Sequence, residues 1–434
     1  MKDLIKKIIP LFLISWYHFL LAFFGALFYG FPSRKLKVIG ITGTKGKSTV
    51  VELASKILET AGYKTAFISS IRFKIADRER KNELKMTMPG RLKIQRFLNK
   101  AVKNGCQYAI LEVTSEGILQ HRQKFIDFDV VVFTNLSPEH IERHGSFEKY
   151  RETKGKLFRS CKKVHIINLD DKNAEYFLQF KAEEKITYGI RNKEAGIRAE
   201  GIKLGEGNVS FLIHNSLFEI RLPGEFNLYN ALAAICSGLS QGVDLEVCKR
   251  ALEKIKLMPG RMEIIISNPF KVIVDYAHTP DSLEKVYQTL QATSDKKQAT
   301  RMICVLGSCG GGRDKWKRPV LGQIAAKNCN EVIITNEDPY DENPMEIIEQ
   351  VAEGALKEIR LNPRHCPCKS ASIYKILERK EAIGKALQLA KPNDVVVITG
   401  KGSESWMCIE RGKKNPWDDR EVVREQLRKL KTES

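Results

Sequence analysis

No C-x-x-C pair occurs among the ten cysteines, and no His or Cys cluster follows Cys366 and Cys368 to complete a zinc site. The dispersed cysteines read as small buried residues of a reducing compartment. Low-complexity tracts are absent, as is any repeat of roughly 20–50 residues, which excludes a largely disordered chain and a solenoid. An RNP-type aromatic motif is also missing. Basic residues are spread along the whole chain rather than gathered in one patch, so no nucleic-acid partner is expected.

What is present fits a globular protein. The 434 residues are 43% hydrophobic and 29% charged, enough for two or three domains with ample core. A net charge of +20 points to phosphate substrates or anionic lipid, or else to a well-solvated basic surface.

From Ile8 to Phe31 the chain carries no formal charge, reading IIPLFLISWYHFLLAFFGALFYGF. At about 1.5 Å per helical residue, such a stretch covers a bilayer core of about 30 Å. Lys2, Lys6 and Lys7 precede it, and Arg34, Lys35 and Lys37 follow. No small-residue cleavage site is evident, so residues 8–31 read as an uncleaved membrane-associated segment at the cytoplasmic face. Basic residues at both ends leave orientation open, and an in-plane segment avoids placing three lysines outside. The competing reading is a helix buried against the body of the protein.

After Lys37 the pattern becomes α/β. Apolar runs at 38–42, 66–69, 108–113, 129–135 and 163–170 alternate with helix-compatible segments, which predicts a mostly parallel sheet with ligands at its C-terminal edge. Short alternating stretches over 197–222 predict antiparallel strands. Pro259–Gly260 marks a boundary. A second α/β series follows at 272–276, 302–307, 331–335 and 395–400. The expected fold is an apolar N-terminal segment (1–37), a P-loop domain with a mostly parallel sheet (38–259), and a Rossmann-like α/β domain (260–434).

The strongest motif is IGITGTKGKST, residues 39–49. Strand, glycine turn, Lys-Ser and helix stand in the order a P-loop needs. Backbone amides over Gly43, Thr44, Lys45 and Gly46 would cradle phosphate oxygens, with Thr49 in the helix's first turn. Lys47 would reach the β/γ-phosphates and the Ser48 hydroxyl would bind Mg²⁺. Ile41 stands where the general pattern wants glycine, which favours the narrower T-G-T-x-G-K-[ST] form.

From about residue 38 to 410 the chain resembles the Mur ligases, through ITGTKGKST, LEVTSEG, TNLSPEHIERHG, YRETKGKLF, PGEFNLYNALAA, MPGRME, DYAHTPDSL, LGSCGGGRDKWKRP, NEDPYDENP and TGKGSE. The resemblance implies an ATP-dependent ligase that activates a carboxylate as an acyl phosphate and couples it to an amino acid, extending a peptidoglycan stem peptide. It implies Mg²⁺ ligands at Glu112 and His140. Lys154 matches a lysine that is carbamylated into a further oxygen ligand; sequence alone makes it one charge on a solvated helix face, with Lys156 as a rival. Asn227 and Asn230 correspond to nucleotide-contacting asparagines, although Asn227 equally suits a helix N-cap. Arg261, Asp275, Tyr276, His278 and Arg313 correspond to residues that meet the nucleotide as the second domain closes. Thr87, Ser115, Asp338, Lys401 and Glu404 fall in the substrate-side motifs.

Several positions depart from that pattern. Residues 1–37 are too few for the family's uridine-binding domain, which raises a lipid-linked rather than UDP-linked acceptor. Met88 replaces a Thr, Glu116 stands where His is usual, and Glu337-Asp338-Pro339-Tyr340 replaces D-N-P-R. Without that arginine the bidentate carboxylate fork is lost, which disfavours meso-diaminopimelate as the incoming amine. Two other readings compete: a folylpolyglutamate-synthase-like ligase, and a membrane-tethered ATP-binding scaffold without activity.

Overall fold

The computed structural model describes residues 11–433 apart from 85, 140, 206, 256–257, 293–300, 364–365 and 369–371. Helix α1 (Leu11–Phe28) comes first. Strand β1 (Lys37–Thr42) then runs into a glycine turn and helix α2 (Lys47–Thr60). Helix α2 forms because Val50, Leu53, Ala54, Ile57 and Leu58 repeat at helical spacing and all are buried. Each such side chain contributes about 1.5–3 kcal/mol by leaving water.

The first sheet has nine strands. After β1 come β2 (Thr65–Ile68), β3 (Arg72–Ile75), β4 (Arg78–Lys81), β5 (Tyr108–Glu112), β6 (Val130–Phe133), β7 (Val164–Asn168), β8 (Glu184–Gly189) and β9 (Ile197–Arg198). Their order is β4-β3-β2-β5-β1-β6-β7-β8-β9. All neighbours pair in parallel except β2/β3 and β3/β4. One face is covered by α2 and helix α5 (Glu225–Leu239), the other by α3 (Arg91–Lys103) and α4 (Phe147–Ser160).

A separate three-stranded antiparallel sheet, β10 (Glu200–Leu204), β11 (Val209–Ile213) and β12 (Ser216–Ile220), meets the expectation for that region. The second large sheet contains β13 (Glu263–Ile266), β14 (Lys271–Val274), β15 (Met302–Leu306), β16 (Glu331–Thr335), β17 (Ile373–Ile376) and β18 (Val395–Ile398), ordered β13-β14-β18-β15-β16-β17. Only its β13 edge is antiparallel. The fold is mixed α/β with mostly parallel sheets.

The membrane association expected of residues 8–31 finds no spanning helix to support it: among the described residues no helix is long and apolar enough to cross a membrane. Residues 8–10 lie outside them. Over 18 residues α1 spans about 27 Å. It stops where Gly30 and Phe31 take positive φ values of 66° and 50°. Its inner side, with Ala22 and Ala26 buried, packs on α3. Phe19 and Phe23 meet Phe125 edge-to-face at centroid distances of 5.1 and 5.4 Å.

Candidate active site

The glycine turn between β1 and α2 lies at the C-terminal edge of the first sheet, where parallel strands open toward ligands. Gly46 caps α2 at φ 84°, and a Cβ there would overlap the Asn230 side chain. Gly43 (φ 149°) is pressed in the same way against Thr134. Only glycine satisfies both the dihedral and the space. The turn is strapped to the loop after β6: Thr44 N donates to Asn135 O at 2.8 Å and Lys45 N to Asn135 Oδ1 at 2.9 Å. Lys47 folds back, donating to the carbonyls of Thr44 (2.8 Å) and Gly43 (3.1 Å).

Two ionisable side chains converge on the glycine turn and the head of α2. Glu112, the last residue of β5, is buried; its Oε2 accepts from Ser48 Oγ at 2.7 Å and from Ser70 N at 2.9 Å. Lys154 reaches the turn from α4, donating to Gly43 O at 2.7 Å. It lies on the buried face of α4, not the solvated one, with Tyr150, Leu157 and Phe158 as companions at helical spacing. Lys156 is exposed on the opposite side. Burial, reinforced by Lys47 nearby, holds the Lys154 amine well below the usual lysine range. His140 lies outside the described residues.

Asn230 Nδ2 donates to Asn227 Oδ1 (3.1 Å), and Asn227 Nδ2 to Pro223 O (2.8 Å). Gly224, not Asn227, caps α5, so the N-cap alternative fails: the helix starts earlier than the apolar pattern implied.

The second sheet supplies the opposite wall. Asp275, buried at the end of β14, accepts from Met262 N (2.7 Å) and Ala277 N (2.6 Å). Burial raises its carboxyl pKa despite the nearby Arg261, whose guanidinium stands 4.3 Å from the Tyr276 ring centre. His278 approaches Glu139 of the first half at 3.5 Å. Burial, then Lys45, lowers its pKa to about 3, so the ring is neutral. Lys401, fully buried, bridges Asp338 Oδ1 at 2.8 Å and Glu404 Oε2 at 2.5 Å. Burial alone would lower its pKa; Glu404 and Asp338 outweigh that and raise it. Arg313, grouped with the nucleotide residues by resemblance, donates to Tyr340 Oη at 3.2 Å. A cavity of about 770 Å³ joins these groups, lined by the turn, Glu112, Thr87, Ser115, Asn227, Asn230, Arg261, Asp275, His278, Arg313, Asp338 and Glu404. Lys154 and Lys401 stand behind its walls.

The Mur ligase middle domain matches residues 41–238, and the Mur ligase glutamate ligase domain matches 260–402. UDP-N-acetylmuramoyl-L-alanyl-D-glutamate–2,6-diaminopimelate ligase 1 of Clostridium acetobutylicum is 39% identical over 418 residues, covering 94% of this chain and 82% of that protein. The chain belongs to the Mur ligase family. The corresponding ligase of Halalkalibacterium halodurans is 38% identical, over 92% of this chain and 80% of its own length. A solved diaminopimelate ligase superposes with a TM-score of 0.60 at 29% identity, over 91% of this chain and 79% of that one. Folylpolyglutamate synthase of Mycobacterium tuberculosis superposes at 0.70, over 95% of both chains, but at 17% identity it shares the fold alone.

Among the described residues of this Mur ligase, no three His, Cys, Asp or Glu side chains gather as a metal cage. The buried Ser48–Glu112 oxygen pair nonetheless fits Mg²⁺, which takes one or two protein oxygens and fills the rest with water and phosphate. Sequence reasoning passed over Asp170, just beyond β7. It accepts from the amides of Ile190 (2.6 Å), Arg191 (3.0 Å) and Asn192 (2.7 Å) and from Tyr229 Oη (2.8 Å), and it lines the cavity. An acid at a parallel strand's C-terminal end was the available signal. Glu139 had no such mark; only the fold brings it to Lys45 (3.0 Å) and His278.

Proposed function

We propose that the protein uses ATP to join an amino acid to a free carboxyl group of a muramoyl peptide. The observation that carries this reading is the arrangement across one cavity. The Ser48–Glu112 pair and the glycine turn form one wall, and the Asp338–Lys401–Glu404 cluster closes the other. A carboxylate held between them would attack the γ-phosphorus of ATP, breaking the β,γ P–O bond and releasing ADP. The amine then attacks the acyl carbon, the C–N bond forms, the C–O bond to phosphate breaks, and the amine loses a proton. Such chemistry is governed by alignment and by cations on the transferring phosphoryl.

In this reading Gly43 to Thr49 bind the phosphates, Lys47 swinging out from its own carbonyls to do so. Asn227, Asn230, Arg261, Asp275 and His278 hold the nucleotide, with the two domains dividing at 259/260. Ser48, Glu112, His140 and a carbamylated Lys154 would hold Mg²⁺, which would neutralise phosphoryl charge. Carbamylation needs a neutral amine to attack CO₂, releasing one proton. The depressed pKa of Lys154 supports that state.

Thr87 and Ser115 would position the acceptor, and Asp338, Lys401 and Glu404 the incoming amino acid. Tyr340 offers a phenol where the resemblance expects an arginine, so 2,6-diaminopimelate is disfavoured here as the amine. The test is ADP release with a panel of amino acids and a UDP-muramoyl dipeptide. Release that needs both is expected. Release with glutamate and a folate instead, or none with any carboxylate, would overturn the reading.

A further inference from the structure

A helix that is apolar all round belongs in a core or in a membrane, yet α1 is packed on one side only. Trp16 (61% exposed), Leu20 (43%), Phe24 (57%), Leu27 (53%) and Phe28 (79%) face outward. They recur at three- and four-residue steps and so share one face. Isolated exposed apolar residues are ordinary, but a continuous aromatic-rich stripe is a contact surface.

The charge around this stripe is mostly positive: the exposed Asp127 beside the turn is paired with Arg34 at 3.3 Å, and Glu116, near His18, is paired with Arg143 at 3.2 Å. Neither α1 nor the turn after it contains an acidic residue, and the same holds for α3, the helix that seats α1. Exposed cations stand on both supports: Lys35 on the turn, Lys93 and Arg96 on α3. In the sequence Lys6 and Lys7 lie just before the stripe. The helix also adjoins the cavity. Ser15 Oγ lies 2.8 Å from His121 Nε2, and the neighbours of that histidine, Gln120 and Arg122, line the cavity wall.

We propose that the outer face of α1 docks in the plane of an anionic lipid surface, holding the acceptor side of the cavity at the membrane. Trp and Phe with basic flanks are the composition of a helix lying in a bilayer interface rather than crossing it. If the ligase reading above holds, and the deduction about the acceptor rests on it, the carboxylate is presented on a lipid-borne muramoyl peptide. Docking itself does not depend on that reading.

The test uses the full chain and vesicles of phosphatidylglycerol with phosphatidylcholine, against vesicles of phosphatidylcholine alone. Binding to the anionic vesicles that weakens with salt is expected. Lys93→Glu with Arg96→Glu should weaken it about fivefold or more for each cation removed. Trp16→Ser with Phe24→Ser should reduce it at least as far, leaving the melting temperature and ADP release with a soluble acceptor unchanged. Absence of vesicle binding by the monomeric protein would overturn the proposal. So would a concentration-dependent dimer that the serine variants dissociate, since the stripe would then cover a second copy. A protein that binds vesicles but turns over no muramoyl peptide would keep the docking and remove the ligase reading.

Discussion

Lys154 and His278 show how burial sets the chemistry of single side chains. An amine on α4 with almost no exposure has its pKa held well below the usual lysine range by burial and by Lys47. Lys154→Ala is expected to lower turnover on the order of 100-fold while the fold survives, because a buried amine is costly rather than stabilising. Phosphate release and thermal unfolding would separate those effects. His278 titrates near 3 when folded, against 6.5 when free. Below pH 6.5 the unfolded chain takes up a proton that the folded ring refuses, so stability is complete above 6.5 and lost as pH falls toward 3. His278→Gln should flatten that acid limb by on the order of a few kcal/mol in denaturant titrations. A limb of unchanged slope would assign it to other groups. Lys47, Ser48 and Glu112 were legible in the sequence because a strand, a glycine turn and a strand end impose local rules. The burial of Lys154 was not, since its helix face reads as charged until Tyr150, Leu157 and Phe158 are seen packed beside it. The Lys401 bridge to Asp338 joins positions 63 residues apart, a closeness that only the second sheet creates.

The strand–turn–helix unit β1–α2 is the most constrained element. Gly46→Ala would need an L residue at φ 84° and would push Asn230 away. ATP affinity is expected to fall at least about tenfold, a cost of about 1.4 kcal/mol, with isothermal titration as the measurement. Helix α2 in turn rests on α5, where Gly238 lets Ile57 approach closely. Ile57→Ala should cost about 2–5 kcal/mol in urea unfolding and loosen the turn from the asparagines of α5. Apolar runs announced β1, β2, β5, β6, β7 and the interior of the second sheet, because strands buried on both faces are continuously hydrophobic. The β3–β4 hairpin escaped notice for the opposite reason. Arg78–Lys81 is exposed throughout and fully charged, so no alternation marks it as a strand. Strand β9 is only two residues long and pairs in parallel with β8, in a region whose texture indicated antiparallel strands alone.

Each half of the molecule has its own apolar core, and the cavity lies where the halves meet. Contacts across that meeting include Glu142 N to Asp314 Oδ1 at 3.2 Å, Lys315 N to Glu142 Oε1 at 3.0 Å, and Lys414 Nζ to Glu83 O at 3.0 Å. Bonds of this kind contribute only about 0.5–1.5 kcal/mol each, far less than either core, so the junction yields before the halves do. Asp314→Ala tests that ordering. It removes an acceptor at the junction but no core side chain, so the melting temperature should move by no more than a few degrees. The KM for ATP should rise about threefold to tenfold, since closing the halves over the nucleotide loses up to about 1.5 kcal/mol. Small-angle scattering should show a larger radius of gyration without nucleotide, restored by an ATP analogue. The opposite pattern, a lowered melting temperature with KM and radius unchanged, would place Asp314 among the contacts that stabilise its own half. The nucleotide would then be gripped without help from this junction contact, by the glycine turn and the cavity-lining Asn227 and Asn230 of the same half.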